Sequence, residues 1–382
     1  MAPKYVDMRS DTFSKPSQAM REAMANADVG ETMVLALEAK CAKIFGKEKA
    51  LLVPTGTMGN LLSVMAHCQE RGLEVIMGDK SHIYLFEQGH VAQNDTLRSF
   101  FMSTTGLHGI VMNLFSKLAG IFPRSVPTLK DGTHDLTTLA ETISSGGIGD
   151  CRTKVICLEN THNRCGGKIL PLDYLQELYN LAQENDIKVH VDGARILNAS
   201  VGLGVPVSDI TKFCDSLTCC LNKGIGAPFG SIVAGTESFI KRVERSRKAL
   251  GGEMSQLGME AAAALYGLDR FEESIQKDHF LAKKLVNGLK NLSSSVVTIE
   301  PEEDQTNLVL IKIDKEMSFI TNLKKRLMTT TEAEVKELGK EIHVGCKLLG
   351  KDIRFAICCN INEEDIDDAI KKVCYVFNEI HF

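Results

Sequence analysis

The chain has 382 residues, 44% hydrophobic and 24% charged, with a formal net charge of −5. That is an ordinary soluble globular composition, long enough for one large domain plus a smaller one. The mild acidic balance gives no reason to expect nucleic acid or an anionic membrane as a partner.

The N-terminus, MAPKYVDMRS, is polar and lacks an apolar signal core, which points to a reducing compartment, the cytosol. Ser10 or Asp11 can organise a turn there, before a helix that starts near Pro16 with apolar spacing at Met20 and Met24. Helical periodicity returns from Met33 to Phe45. ALLVPTGTMGN then reads as a short strand and a turn opening a helix. Free N–H groups at such a helix start bind phosphate, so Gly56 and Thr57 are candidates for a phosphate cradle. EVIM is a strand, with His82 just past its end. Residues 95–122 are apolar-rich, but Ser99, Asn113 and Lys117 break them up, and no uninterrupted run reaches the roughly 18 residues of a membrane span.

KVICLENTHNRCGGKILPL gives a strand, a polar loop and an apolar return, followed by a helix over 172–184. IKVHVDGAR alternates as a strand that ends in Asp192, with Arg195 three residues on. SLTCCLNKGIGAPFGSIVAG holds Lys223 between an apolar strand and a glycine-rich turn at Gly224 and Gly226, where another group can approach the backbone closely. Two helices follow, separated at Gly251-Gly252. The last third reads as a long helix (about 275–291), strands near 296–300 and 307–313, a helix, a strand at 352–358 and a closing helix from about 363. Arg354 lies inside that last apolar strand, where a guanidinium wants an anionic partner. The twelve cysteines do not suggest a disulfide scaffold, since several sit in apolar runs, and no pair has the spacing of a zinc site.

Lys223 follows Asp192 by 31 positions, each closing a strand. A lysine amine condenses with an aldehyde, and a carboxylate at the carboxyl end of a central strand points into the crevice where α/β sheets bind ligands. That ordered pair is what a pyridoxal 5′-phosphate (PLP) enzyme uses: the lysine carries the cofactor and the aspartate keeps its ring nitrogen protonated. The plain alternatives are a solvated loop lysine and an aspartate capping its own turn.

The segments MRSDTFSKP, VPTGTMGN, SHIYLFEQG, LENTHNRCGG, HVDGARILNA and CLNKGIGAPFGS resemble, in order, the L-threonine aldolase family within the threonine aldolase and aromatic β-eliminating lyase superfamily. The resemblance implies the PLP fold of type I: a large domain over 1–270 with a mostly parallel seven-stranded sheet, and a small C-terminal α+β domain over 271–382. It implies a homodimer or homotetramer acting on a small amino acid, with retro-aldol cleavage of L-threonine or L-allo-threonine to glycine and acetaldehyde. Lys223 and Asp192 take the cofactor roles above, and Gly56, Thr57 and Arg195 join them in cofactor binding. Ser10, Arg195 and Arg354 would hold the substrate carboxylate, and His82 would stack on the cofactor ring and serve the β-hydroxyl proton.

The chain departs from the family pattern in several places. Val29-Gly30 runs almost directly into a helix, as though several residues were deleted, and roughly 94–117 reads as an insertion. Gly149 stands where bacterial members carry a second histidine, and Asn222 replaces the serine before the lysine. Ser255 replaces a phosphate-binding arginine, with Glu253 close enough to repel phosphate, which together predict weaker PLP binding. β-Elimination, and a non-catalytic paralogue that keeps the fold and dimerises, therefore stand as alternatives.

Overall fold

The computed structural model describes residues 3–87, 120–301 and 306–380. In chain order the strands are β1 (Lys4–Asp7), β2 (Lys49–Val53), β3 (Leu73–Gly78), β4 (Phe122–Val126), β5 (Arg152–Glu159), β6 (Lys188–Asp192), β7 (Ser216–Cys220), β8 (Ser231–Gly235), β9 (Val297–Glu300), β10 (Leu308–Ile313), β11 (Ile342–Gly345), β12 (Lys347–Leu349) and β13 (Asp352–Ala356). Seven of them form the main sheet, in the order β2-β8-β7-β6-β5-β3-β4. β8 runs antiparallel to both neighbours, β2 and β7, and the remaining pairs are parallel. This is the mostly parallel sheet that the sequence implied.

The central strands are apolar on both faces because helices cover both. Side chains alternate across a strand, so Ile156 and Leu158 of β5 join one core while Val155 and Cys157 join another. The first core takes Leu37 and Cys41 from helix Thr32–Ile44, Leu175 and Leu178 from helix Leu172–Glu184, and Ala261 and Ala264 from helix Gly258–Leu268. On the opposite face, Leu61 and Val64 of helix Gly56–His67 pack on Val75, Met77, Val155 and Cys157. With both faces sealed, the open edge for chemistry is the carboxyl ends of β3, β5, β6 and β7.

The C-terminal unit is an antiparallel sheet, β12-β13-β10-β9, backed by helices Phe271–Leu289, Met317–Leu327 and Glu363–Ile380. Helix Phe271–Leu289 ties the units together. Its Ile275 belongs to the main core and its Leu281, Leu285 and Leu289 to the second core. β13 closes against the main unit and puts Arg354 at the junction.

The N-terminal strand pairs outside the main sheet: β1 runs parallel to β11, Lys4 opposite Ile342. Val6 and Met8 are buried in the C-terminal core, and the Met8 carbonyl accepts from Ala356 N at 2.9 Å. A four-residue strand cannot stand alone, so it takes the nearest free edge. The expected insertion, 94–117, lies outside the described residues. Among the described residues no helix is long and apolar enough to cross a membrane. The short Val29-Gly30 connection is real: the chain passes from it through Glu31 directly into helix Thr32–Ile44.

The packing of Met8 gives a direct check. Met8→Ala is expected to cost about 2–5 kcal/mol in urea unfolding. A change within about 0.5 kcal/mol, as for an exposed site, would mean that the N-terminal segment is not part of the core.

Candidate active site

Two central strands of the parallel edge end in a carboxylate. β5 ends at Glu159, β6 at Asp192, and β7 runs through Cys220 into the turn that carries Lys223. Gly226 in that turn has φ +72, and a Cβ there would stand 3.0 Å from the Cys359 sulfur, so only glycine lets the C-terminal unit approach so closely. Ser14 Oγ donates to the Asn222 carbonyl at 3.3 Å, which lays the N-terminal segment against the lysine turn.

Asp192 is buried, and its Oδ1 accepts from Ala194 N at 3.1 Å. Burial pushes its carboxyl up to about 6, Glu87 and Glu159 push it the same way, and His82 and Lys223 pull it back. Such a carboxylate wants a cation, which a protonated ring nitrogen would supply. His82 opens a short helix behind the cap Ser81. Its Nδ1 meets Glu87 Oε1 at 2.8 Å, and its backbone N–H donates to Glu159 Oε2 at 2.6 Å. Burial alone would lower the imidazole; the Glu87 hydrogen bond and charge, with Asp192 and Glu159, hold it above its ordinary value. Ligand atoms of His82, Glu87 and Asp192 lie within 4.8 Å of one another. A divalent cation would fit that spacing; in the structure Glu87 Oε1 is engaged by His82 and by Asn60 Nδ2, and Glu87 Oε2 is buried without a partner.

A second group is built around Asp11. Asp11 is fully buried; it accepts from Arg195 Nε at 2.6 Å, from Arg195 Nη2 at 2.9 Å and from Asn307 Nδ2 at 3.0 Å. Burial opposes its charge, but Arg195, Lys223 and Arg354 hold the carboxyl well below its ordinary range. Arg354 donates to Asn163 Oδ1 at 2.6 Å and to the Arg9 carbonyl at 2.9 Å. Its Nε is buried without a partner, and burial, then Arg195, push the guanidinium down to about 10. That is the environment of a cation waiting for an anion. Ser10 caps the turn Asp11–Phe13, accepting from Thr12 N at 3.2 Å, so its hydroxyl has a structural task of its own.

Gly56 and Thr57 form the first turn of helix Gly56–His67, where N–H groups precede the first intrahelical bond, and Thr55 caps Met58 N. A Cβ on Gly56 would lie 2.9 Å from Cys220 Sγ, so this turn rests on the end of β7 beside the lysine loop. Gly252 presses on the same helix, where a Cβ would run into Met58 Sδ. Glu253 is exposed and ion-paired with Lys248, so the expected repulsion of phosphate is weakened. Ser255 is exposed and uncharged. Gly149 sits in an exposed loop with open space around it.

The structure thus brings Lys223, Asp192 and His82 together, with Gly56 and Thr57 beside them, and Arg195 with Arg354 across from them. The residues that sequence reasoning missed are partners: Glu87, Glu159 and Asn60 behind His82, Asn163 on Arg354, and Asp11 as the counter-ion of Arg195. The ENTHN loop was the available signal, since it leaves Asn160 Nδ2, Thr161 Oγ1 and both His162 ring nitrogens buried without partners. Orphaned buried donors and acceptors beside a buried carboxylate and a helix N-terminus fit a polar, phosphate-bearing cofactor.

The fold and this edge place the protein among the PLP-dependent enzymes of fold type I. Comparison with known proteins narrows this. The beta-eliminating lyase profile matches residues 7–316, and the chain belongs to that family. It is 42% identical over 324 residues to a probable low-specificity L-threonine aldolase 2 of Arabidopsis thaliana, covering 83% of this chain and 84% of that one. It is 38% identical over 317 residues to a low specificity L-threonine aldolase of Escherichia coli, covering 81% and 85%. Among solved structures it resembles a putative aromatic amino acid beta-eliminating lyase/threonine aldolase from Exiguobacterium (TM-score 0.71, 16% identity, 98% and 97% covered). A putative L-allo-threonine aldolase from Listeria monocytogenes is similar in fold (TM-score 0.69, 18% identity, 98% and 96% covered).

The buried ion pair predicts a stability effect. Asp11→Ala leaves the Arg195 charge buried and unpaired, and is expected to cost about 3–5 kcal/mol in chemical unfolding. Because the folded carboxyl is held low, the Asp11 contribution is complete above about pH 4. It is lost progressively as pH falls from there towards the lowered folded value, so the variant should narrow its deficit steadily below about pH 4. A deficit independent of pH down to acid unfolding would contradict the pairing.

Proposed function

We propose that this chain is a PLP-dependent lyase that cleaves L-threonine or L-allo-threonine to glycine and acetaldehyde. The observation that carries the reading is the pairing of two opposed charge groups at one strand edge. One is acidic and holds Asp192 beside Lys223; the other is basic and leaves Arg354 Nε without a partner. Bound PLP supplies an electron sink for the pair released when the Cα–Cβ bond breaks.

The residues of this chain supply the rest. Lys223 would carry the cofactor through Nζ, and Asp192 would face its ring nitrogen. The N–H groups of Gly56 and Thr57 would hold its phosphate. Arg354 would take the substrate carboxylate, with Arg195 contributing from beside it. Two of the Arg195 nitrogens are already on Asp11, so its share is the smaller one. Fixing the carboxylate sets which bond at Cα stands ready to break. His82 would accept the β-hydroxyl proton, directly or through one water, as that oxygen becomes the carbonyl of acetaldehyde. A proton returned to Cα completes glycine. The exposed and uncharged Ser255 supports weaker phosphate binding than an arginine there would give.

All twelve cysteines are free thiols in the structure, which supports a reducing, cytosolic setting. Assembly as a homodimer or homotetramer belongs to the same proposal.

The test is turnover. Purified protein with PLP should release acetaldehyde and glycine from L-threonine, L-allo-threonine or both. Arg354→Ala should lower kcat/KM by about a hundredfold, with Arg354→Lys between the two. Equal kcat/KM in wild type and Arg354→Ala would remove Arg354 from the carboxylate site. No product from either substrate would leave β-elimination as the reading to assay.

A further inference from the structure

Behind His82 a line of hydrogen bonds runs between helix Gly56–His67 and the sheet. Asn60 Nδ2 donates to Glu87 Oε1 at 3.0 Å. Asn60 Oδ1 meets His190 Nε2 at 3.1 Å, His190 Nδ1 meets Ser216 Oγ at 2.9 Å, and Ser216 Oγ meets His67 Nε2 at 2.7 Å. Asn60, Glu87, His190 and Ser216 are all buried. These residues are not needed to hold a cofactor, and a buried polar line inside an otherwise apolar layer has to be accounted for.

The direction of every bond in the line is fixed by chemistry. Asn60 turns its amide nitrogen to the Glu87 carboxylate, so its Oδ1 must accept. His190 must then carry its proton on Nε2. Burial pushes His190 down to about 3, so it is neutral with that single N–H, and Nδ1 must accept from the Ser216 hydroxyl. Ser216 Oγ in turn accepts from His67 Nε2–H. Burial and the nearby cations Lys188, Arg242 and Lys154 push His67 to about 3, so it too is neutral and gives one proton to the line. All donors therefore point toward Glu87, whose Oε1 is the terminal acceptor from this side and from His82 on the other.

We propose that Glu87, oriented by Asn60 and His190, is a positioning residue that fixes the Nδ1–H tautomer of His82. His82 Nε2 is then the nitrogen that exchanges protons with the site. His82 Nε2 has no hydrogen-bond partner among the described residues, and the side chain keeps 39% exposure with the Phe86 ring centroid 5.3 Å from its own. The charged groups facing His82 are Glu87 from the turn that follows it, Glu159 from β5 and Asp192 from β6, with Lys223 opposing them from beyond Asp192. Glu87 is the one in hydrogen-bond contact with the ring. Free in water the neutral histidine side chain is not held in the Nδ1–H form; here the Glu87 contact selects it. The catalytic half of this inference rests on the aldolase reading above, and the tautomer does not.

The experiment is nitrogen-15 NMR of the histidine rings across pH, on the PLP-loaded protein, with His82→Asn to assign the signals. The wild type should show His82 titrating above the ordinary histidine value and carrying its neutral-state proton on Nδ1. Glu87→Gln should lower that titration by about one pH unit or more, and the acid limb of the pH–rate profile should move with it. Asn60→Ala should move both the same way by less. A neutral His82 protonated on Nε2 in the wild type would overturn the proposal without any variant. So would a His82 titration unmoved in a folded Glu87→Gln protein. A shifted titration in a protein with no aldolase activity would retain the positioning role and refute the aldolase reading instead.

Discussion

The ion pair between Asp11 and Arg195 is the constraint on which the site depends. Its two residues are 184 positions apart, both are buried, and Asn307 completes the carboxylate from a third part of the chain. One acid thus joins the N-terminal segment, the loop after β6 and the C-terminal sheet at one point. An unpaired charge at that depth would be costly, so the three segments are held in register or the region does not close. Arg354 reaches the Arg9 carbonyl and Asn163, which anchors β13 to both the N-terminal segment and the ENTHN loop.

Around this point the charges are sorted. Glu87, Glu159 and Asp192 gather on the strand-end side with His82, while Arg195 and Arg354 gather with Asp11 on the other. Each group holds its members away from their ordinary protonation behaviour: Asp192 is raised, the His82 imidazole is raised, and Arg354 is lowered. A ligand with a cationic ring nitrogen at one end and an anionic carboxylate at the other would relieve both strains together. This complementarity, rather than any single residue, is why the cleft suits an amino acid bound to PLP.

The strands that carry Asp192 and Lys223 were legible in the sequence because strand ends leave a local signature, an apolar run that stops at a polar residue; the sheet they belong to was implied by the family resemblance. IKVHVD and SLTCCLNK both carry it. Partners were not legible, because they come from afar. Asp11 looks like a turn residue until Arg195 is placed beside it. Asn60 and His190 look like polar lapses in apolar elements until Glu87 and Ser216 are seen on either side. β1 could not be assigned to the C-terminal unit because its pairing partner, β11, lies more than 330 positions away and four residues carry no pattern that names an edge. The partner of Glu253 was hidden for the same reason: its charge was visible, and the Lys248 that pairs with it was not.

The central claim is that Lys223 carries PLP. The most direct measurement treats the PLP-loaded protein with borohydride and locates the reduced cofactor by peptide mass spectrometry, alongside absorbance spectra of wild type and Lys223→Ala. The account predicts a cofactor absorbance that requires Lys223 and a single modified peptide containing that residue. Cofactor fixed on a different lysine, or an absorbance unchanged in Lys223→Ala, would contradict it.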